Sequence, residues 1–247
     1  MSLRNISVVV IAKNAEETIK ACLDALRTFD EVILYLNDSS DSTEQIALGY
    51  SNVKIVKGTF VGFGETKNIA ASYAKNDWIL SLDSDEIVNR ELIEEIKHLD
   101  LSKTNRIYQI KRENYFLGYK TQSKDIITRL YHKKYTQLDK NTVHEKVIIP
   151  MDSEVIVLET SFKHLNIIHI NQTLTKIIKY TDLGAENKKM CFFSVVIAKA
   201  LFGFFKTYFI QGNILRGWVG FALAINTANK RYYKYIKQFI NCKEDKK

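Results

Sequence analysis

Trp78-Ile79-Leu80-Ser81-Leu82-Asp83-Ser84-Asp85-Glu86 is a hydrophobic run that ends abruptly in carboxylates. Its first five residues read as a buried strand, and Asp83 opens whatever lies beyond the strand's carboxyl end. Side chains two apart on an extended segment point the same way, so Asp83 and Asp85 can converge on one ligand. Two such carboxylates make a hard oxygen site suited to a divalent cation that holds a phosphate. The tripeptide is also a common solvated turn, so its meaning depends on its surroundings.

Those surroundings alternate strand and helix patterns through the first hundred residues. Residues 6–11 are a continuous β-branched run, and residues 16–28 place Ile19, Cys22, Leu23 and Leu26 at helical spacing. Further strands are expected at 32–36, 53–56 and 78–82, with helices at 43–48 and 66–74 between them. Continuous apolar strands separated by helices imply a parallel sheet covered on both faces. Ligands of such sheets collect at the carboxyl ends of the strands, where the Asp83 turn and the loop after Leu36 both lie. No Gly-x-Gly-x-x-Gly follows the first strand, and Gly62-Phe63-Gly64 lacks the Lys-Ser/Thr of a phosphate loop, so a conventional dinucleotide fold loses ground. Shorter strand patterns at 107–110, 126–131, 143–149 and 155–158 suggest antiparallel additions, and residues 173–188 return to helix.

A chain of 247 residues that is 46% hydrophobic and 11% aromatic can bury an ample core. Its three cysteines, Cys22, Cys191 and Cys242, are far apart and odd in number. They suggest a reducing compartment with neither a disulfide framework nor zinc spacing. The amino-terminal residues run straight into a strand pattern, which argues against a secretory signal. A formal net charge of +8 is concentrated late: between Glu186 and Glu244 there is no acidic residue, while lysine, arginine and aromatic residues recur.

Ser7-Val8-Val9-Val10-Ile11-Ala12-Lys13-Asn14-Ala15-Glu16 and Ser39-Ser40-Asp41-Ser42-Thr43 resemble the opening strand and the Ser-Thr-Asp-Gly-Thr turn of the family-two inverting glycosyltransferases. Gly62-Phe63-Gly64-Glu65-Thr66-Lys67-Asn68 looks like the segment that precedes the metal motif in one branch, where Asp83-Ser84-Asp85-Glu86 stands for Asp-Ala-Asp-Glu. Val143-His144-Glu145 resembles the same branch's Val-His-Glu, and His164 followed by Lys176 and Tyr180 its His…Lys…Tyr spacing. That branch comprises the β-1,4-glucosyltransferases acting on heptose of the lipopolysaccharide or lipooligosaccharide core. The resemblance implies an α/β fold of the GT-A type, with a Rossmann-like nucleotide-sugar half, a mixed central sheet and basic amphipathic helices at the carboxyl end. A catalytic domain over 1–189 is expected, with its nucleotide-sugar half at about 1–100 and its acceptor half at about 101–189, followed by a helical tail over 190–247.

The same resemblance implies transfer of a hexose, glucose from UDP-glucose first, to a heptose of the inner core, with Mg2+ or Mn2+ as cofactor. Asp85 would bind the metal directly, Asp83 would lie close to ribose or metal, and His164 would complete the coordination or serve as a core histidine. A cation there stabilises the departing diphosphate as a Lewis acid. Glu145 is the expected base that takes the acceptor proton, a strand-end surface pair being the plainer reading and Asp125 and Asp152 the reserves. Donor contacts are expected from Ala12, Asn14, Glu16, Asn37, Asp38, Lys67, Asn68, Asp83, Ser84 and Arg129. Asn14 and Glu16 fit a helix cap equally well, and Lys13, Lys67 and Arg129 are each either a diphosphate contact or solvated. The family usually carries an aspartate where this chain has Leu36, which leaves base recognition to Asn37 or Asp38.

In the tail, helical phase from Ile225 sets Ala228, Tyr232, Tyr235, Ile236 and Phe239 on one face and Lys230, Arg231, Lys234 and Lys237 on the other. That is the pattern of a helix lying on an anionic bilayer, or of a terminal helix packed on its domain with a solvated basic face. No uncharged run reaches the ~20 residues needed to span a bilayer. The expected setting is cytoplasmic, peripheral at the inner membrane, beside a lipid A–core acceptor. Three alternatives stand beside it: transfer of another hexose or N-acetylhexosamine to a polyprenyl-linked or capsular glycan, a nucleic-acid-binding protein using the basic aromatic tail, and a degenerate transferase serving as a binding module, which only Leu36 encourages. The acidic cluster at 83–86 opposes a polyanion and argues against a nucleic-acid partner.

Overall fold

The computed structural model describes residues 3–140, 145–185 and 188–244. Its first half is built from β1 (Ile6–Ala12), α1 (Glu16–Ala25), β2 (Val32–Leu36), α2 (Thr43–Ala47), β3 (Val53–Lys57), α3 (Phe63–Ser72), β4 (Trp78–Asp83), β5 (Glu86–Ile87) and α4 (Arg90–Lys97). Three long strands follow, β6 (Arg106–Phe116), β7 (Tyr119–His132) and β8 (Glu154–Ile167). The chain ends in α5 (Ile170–Ala185), α6 (Phe193–Phe205), a π-helical turn (Lys206–Ile210), a 3-10 turn (Asn213–Arg216) and α7 (Gly217–Glu244).

One mixed sheet runs in the order β3-β2-β1-β4-β7-β6-β8-β5. The strands β3, β2, β1 and β4 are mutually parallel, and β7 joins β4 antiparallel. Every residue of β1 and of β2 is buried, which is why both read as uninterrupted apolar runs. Alternate residues of β1 feed opposite layers. Val8 and Val10 pack with Ile19, Cys22 and Leu23 of α1, whereas Val9 and Ile11 pack with Ala70 and Ala71 of α3. Each fully buried aliphatic side chain of this kind contributes roughly 1.5–3 kcal/mol.

Two departures from the sequence reading concern the second half. Residues 145–149 form no strand; among the described residues an isolated bridge joins Val147 to Leu138. The expected strand's first two residues, Val143 and His144, lie outside the described residues. Conversely, β6 and β7 run well beyond 107–110 and 126–131, through the charged stretch Lys111 to Asn114. A two-residue turn joins them, with Leu117 at φ 50° and Gly118 at φ 80°, the backbone that tight hairpins require.

The chain divides into two compact units, Met1–Glu113 with Lys124–Leu165, and Asn114–Ser123 with Asn166–Lys247. The second unit therefore takes in α5, which the sequence reading groups with the catalytic part. Within it α6 and α7 pack antiparallel: Phe193 meets Phe239 at one end and Phe204 meets Phe221 at the other. Cys191 and Cys242 form a disulfide across the open end of that hairpin, and Cys22 is free and buried. The expectation of no disulfide is thus overturned, and with it the compartment argument drawn from cysteine count. Fifty-one positions separate the pair, a spacing that carries no motif.

Candidate active site

The turn after β4 lies where the sheet's register brings several distant segments together. Asp83 is the register partner of Ile11, at the end of β1. On the other side Leu80 pairs with Leu130, so β7 delivers Arg129 beside the last residues of β4. Immediately after the turn, β5 pairs antiparallel with β8, which sets Glu86 opposite His164. A backbone hydrogen bond from Leu165 N to Asp85 O, 2.8 Å, fixes that crossing.

Lys67 is the centre of the cluster. Its side chain is 1% exposed, and its Nζ lies 2.6 Å from Asp83 Oδ1 and 2.8 Å from Glu145 Oε1. Burial opposes the ammonium charge, but Asp83 and Glu145 outweigh it and raise the lysine above its ordinary range. Arg129, also buried, donates to Asp83 Oδ2 at 2.8 Å and to Glu86 Oε1 at 2.6 Å. Burial pushes the Asp83 carboxyl up, yet the two cations prevail and hold it well below the usual carboxylate range. Glu86 is fully buried, and that burial raises its carboxyl against the pull of Arg129. Its Oε2 accepts from Asp83 N at 3.1 Å, so it also shapes the turn.

Both oxygens of Asp83 are thus engaged by cations, whereas Asp85 faces an imidazole: its Oδ2 is 3.4 Å from His164 Nε2. A carboxylate oxygen and an imidazole nitrogen at this separation suit one divalent cation, with phosphate oxygens and water to complete its shell. Among the described residues no three histidine, cysteine or carboxylate groups converge in that way. Asp85 and His164 are therefore a pair that could share a cation, while Asp83, expected close to ribose or metal, has its two oxygens held by Lys67 and Arg129.

The described residues on either side of 141–144 are anchored to α3 and to one another. Asn68 donates to Leu138 O and accepts from Leu138 N, at 2.9 and 3.0 Å. Asp139 N bonds Lys146 O at 2.8 Å, and Ile148 N bonds Gln137 O at 2.9 Å. Gly64 lets this loop approach α3: a Cβ there would meet Asp139 O at 1.9 Å and Glu145 Cβ at 3.4 Å. Asn68, expected as a donor contact, is in this arrangement an anchor for the loop carrying Glu145.

The remaining expected residues brace the loop edge. Asn14 Oδ1 accepts from Ser40 N at 2.8 Å, and Glu16 Oε2 accepts from Ser42 N at 3.0 Å. Asp41 returns the contact to Glu16 N at 2.9 Å. These bonds tie the end of β1 to the β2–α2 loop, a third use beside cap and ligand. Ala12 O accepts from Asn37 N at 3.1 Å, at the ends of the two neighbouring strands. Asn37 is buried with its Oδ1 lacking a hydrogen-bond partner, which buried polar atoms rarely tolerate without a ligand or water. Asp38 follows at φ 55°, Ser84 occupies the turn between the two aspartates, and Lys13 is exposed.

Of the reserve carboxylates, Asp125 pairs with Arg112 at 2.9 Å and Asp152 accepts from Tyr135 OH at 2.8 Å. Lys176 belongs to the second unit, where it holds Asn166 O at 2.6 Å; Tyr180 there lies 5.3 Å beneath Lys230 Nζ. Sequence reasoning missed Glu86 as a buried partner and Arg112, 3.7 Å from it. Glu86 stood in the quoted motif and only its burial was illegible; Arg112 lies in a charged run that reads as solvated.

With this geometry in hand, residues 7–165 match the family described as Glycosyl transferase family 2. The match ends where the first unit ends. An uncharacterized glycosyltransferase of Rickettsia felis is 27% identical over 257 residues, covering 95% of this chain and 89% of that one. A lipopolysaccharide core biosynthesis glycosyltransferase of Rhizobium meliloti is 21% identical over 238 residues, covering 90% and 87%. Among solved structures, S. aureus TarS 1–349 in complex with UDP aligns over 95% of this chain and 90% of its own at 17% identity, with a TM-score of 0.48.

Proposed function

This chain belongs to glycosyl transferase family 2, and we propose that it moves glucose from UDP-glucose to a heptose of the lipopolysaccharide inner core, with inversion and with a divalent cation. That the chain is a glycosyltransferase is shown; the sugar, acceptor and residue roles are the proposal. The observation that carries it is the Lys67 bridge: one buried cation holds both the first aspartate of the turn and the candidate base. Chemistry and leaving-group site thereby share one rigid support.

Asp85 and His164 would hold the cation, which when bound neutralises charge on the departing diphosphate. Glu145 takes the proton from the acceptor hydroxyl as that oxygen bonds to the anomeric carbon and the bond to the diphosphate breaks. Lys67 occupies Oε1, so Oε2 is the oxygen assigned to that proton. Arg129 and Lys67 keep Asp83 ionised and aimed at the donor, and the unpartnered Oδ1 of Asn37 supplies an acceptor for a nucleobase N–H where Leu36 replaces the usual aspartate. The heptose acceptor rests on the motif resemblance and on the named role of the Rhizobium relative. A lipid A–core acceptor places the chain at the cytoplasmic face of the inner membrane.

The test is a panel of nucleotide sugars with Mn2+ and purified lipid A–core acceptors, run on the wild type and on Asp85→Ala. UDP-glucose is expected to be the preferred donor, with transfer lost in the variant. Preference for UDP-N-acetylglucosamine would replace the sugar. Full metal-dependent transfer by Asp85→Ala would remove the metal assignment.

A further inference from the structure

The basic face of α7 is partly engaged within its own unit. Lys237 pairs with Asp182 of α5 at 2.6 Å, and Lys230 sits over the Tyr180 ring. A Cβ on Gly184 would touch the Lys234 stem, and one on Gly203 of α6 the Arg231 stem. These side chains are spent packing α7 between α5 and α6. Exposed large apolar side chains run along α6, from Phe193 through Leu201 and Phe202, and continue to the closed end of the α6–α7 hairpin. There Phe205, Phe209, Ile210, Leu215, Trp218 and Phe221 all face outward, Leu215 at 91% and Trp218 at 63% exposure. A monomer seldom leaves so many large apolar side chains together in water without a partner for them.

We infer that this hairpin tip is a wedge that enters the acyl region of an anionic bilayer. The inference rests on the proposed lipid-linked acceptor only for its biological purpose; the surface itself argues for the occupant. The stretch Phe193–Ile210 has a mean hydropathy of 1.5 and only 17% of it is buried, enough by length and composition to cross a membrane. Its partner helix forbids crossing: α7 would carry Arg231, Lys234 and Lys237 into hydrocarbon, at several kcal/mol for each uncompensated charge. Shallow insertion of the tip satisfies both helices. Lys206 and Arg216 sit within the tip, and no acidic residue occurs between Glu186 and Glu244, so the flanks complement phosphate headgroups. Trp218, stacked edge-on against Tyr119, has the amphipathic ring that favours the bilayer interface. The Cys191–Cys242 bond clasps the hairpin at its opposite end.

The chain has two tryptophans. Trp78 is core, so Trp218 alone reports on the tip. The full chain is mixed with vesicles of phosphatidylcholine and phosphatidylglycerol containing brominated acyl chains. Quenching of its fluorescence is expected, and Trp218→Phe should lose that quenching while still co-floating. Phe209→Glu and Leu215→Glu, at exposed positions, should each lower partitioning by ~10-fold or more. Vesicle-bound protein with unquenched Trp218, or undiminished binding by both glutamate variants, would overturn the wedge. So would a wild-type dimer that these substitutions dissociate with vesicle binding unchanged. Neither donor nor acceptor is present, so failure of the transfer assay leaves this result standing.

Discussion

Lys67 and Glu145, 78 residues apart in the chain, meet at 2.8 Å in a buried ion pair that Asp83 shares. The pair joins the first turns of α3 to the loop after β7, and through Asp83 it reaches the end of β4. A cation so placed fixes two carboxylates that the proposed reaction uses separately.

Lys67→Met therefore removes the charge from between two carboxylates. Breaking a buried pair on one side typically costs 3–5 kcal/mol, so the variant should unfold at distinctly lower urea while Lys67→Arg is intermediate. Adding Glu145→Gln to Lys67→Met should restore part of the loss, because one uncompensated charge is gone. A double-mutant cycle by urea unfolding reads this coupling; strict additivity would mean the pair is not energetically linked.

The acid limb of stability should carry the signature of Asp83. Its carboxyl is held below the ordinary value of ~3.9 by Lys67 and Arg129. Above ~3.9 both folded and unfolded chains are ionised and the pairing contributes fully. As pH falls through the lower folded value, the unfolded chain has already taken its proton and the contribution disappears. Carboxyl carbon NMR should find Asp83 still ionised at pH 3 in the wild type and titrating nearer the ordinary value in Lys67→Met.

Imidazole in the donor set favours Mn2+ over Mg2+, which prefers an all-oxygen octahedron. Turnover at saturating Mn2+ should exceed that at saturating Mg2+. His164→Asp, which makes the set all-oxygen, should narrow or reverse the ratio. An unaltered ratio would place His164 outside the coordination.

Thiol chemistry separates the three cysteines. Burial pushes the Cys22 thiol far up, so native non-reduced protein should show no group reactive with a disulfide reagent, and denatured protein one. Cys191→Ser should lower the stability of the helical unit by ~2–4 kcal/mol without altering the first unit's core. Two reactive thiols in addition to Cys22 after denaturation would show the clasp open.

Much of the first unit was legible in the chain because its signals are local. The buried strands alternate with amphipathic helices, and the Asp83 turn falls at a strand's carboxyl end, where the parallel sheet puts it. The convergence of His164 depended on the β5–β8 register, which no periodicity reveals; only motif resemblance pointed there. The position of Lys67 was read, but its job was not, since its partner lies beyond a loop whose closure depends on Gly64. The tail's charge pattern left two readings, a bilayer surface and a packed terminal helix, and the contacts that Asp182, Tyr180 and Gly184 on α5 make with its lysines are long-range ones that no periodicity reveals.

The central claim, that Glu145 is the base held by Lys67, is tested most directly by Glu145→Gln in single-turnover transfer from UDP-glucose with Mn2+, alongside donor binding. The substitution keeps shape and the hydrogen bond to Lys67 while removing the proton acceptor. The account predicts ~10²–10⁴-fold slower transfer with donor affinity little changed. Wild-type turnover by a folded, donor-binding Glu145→Gln enzyme would contradict it.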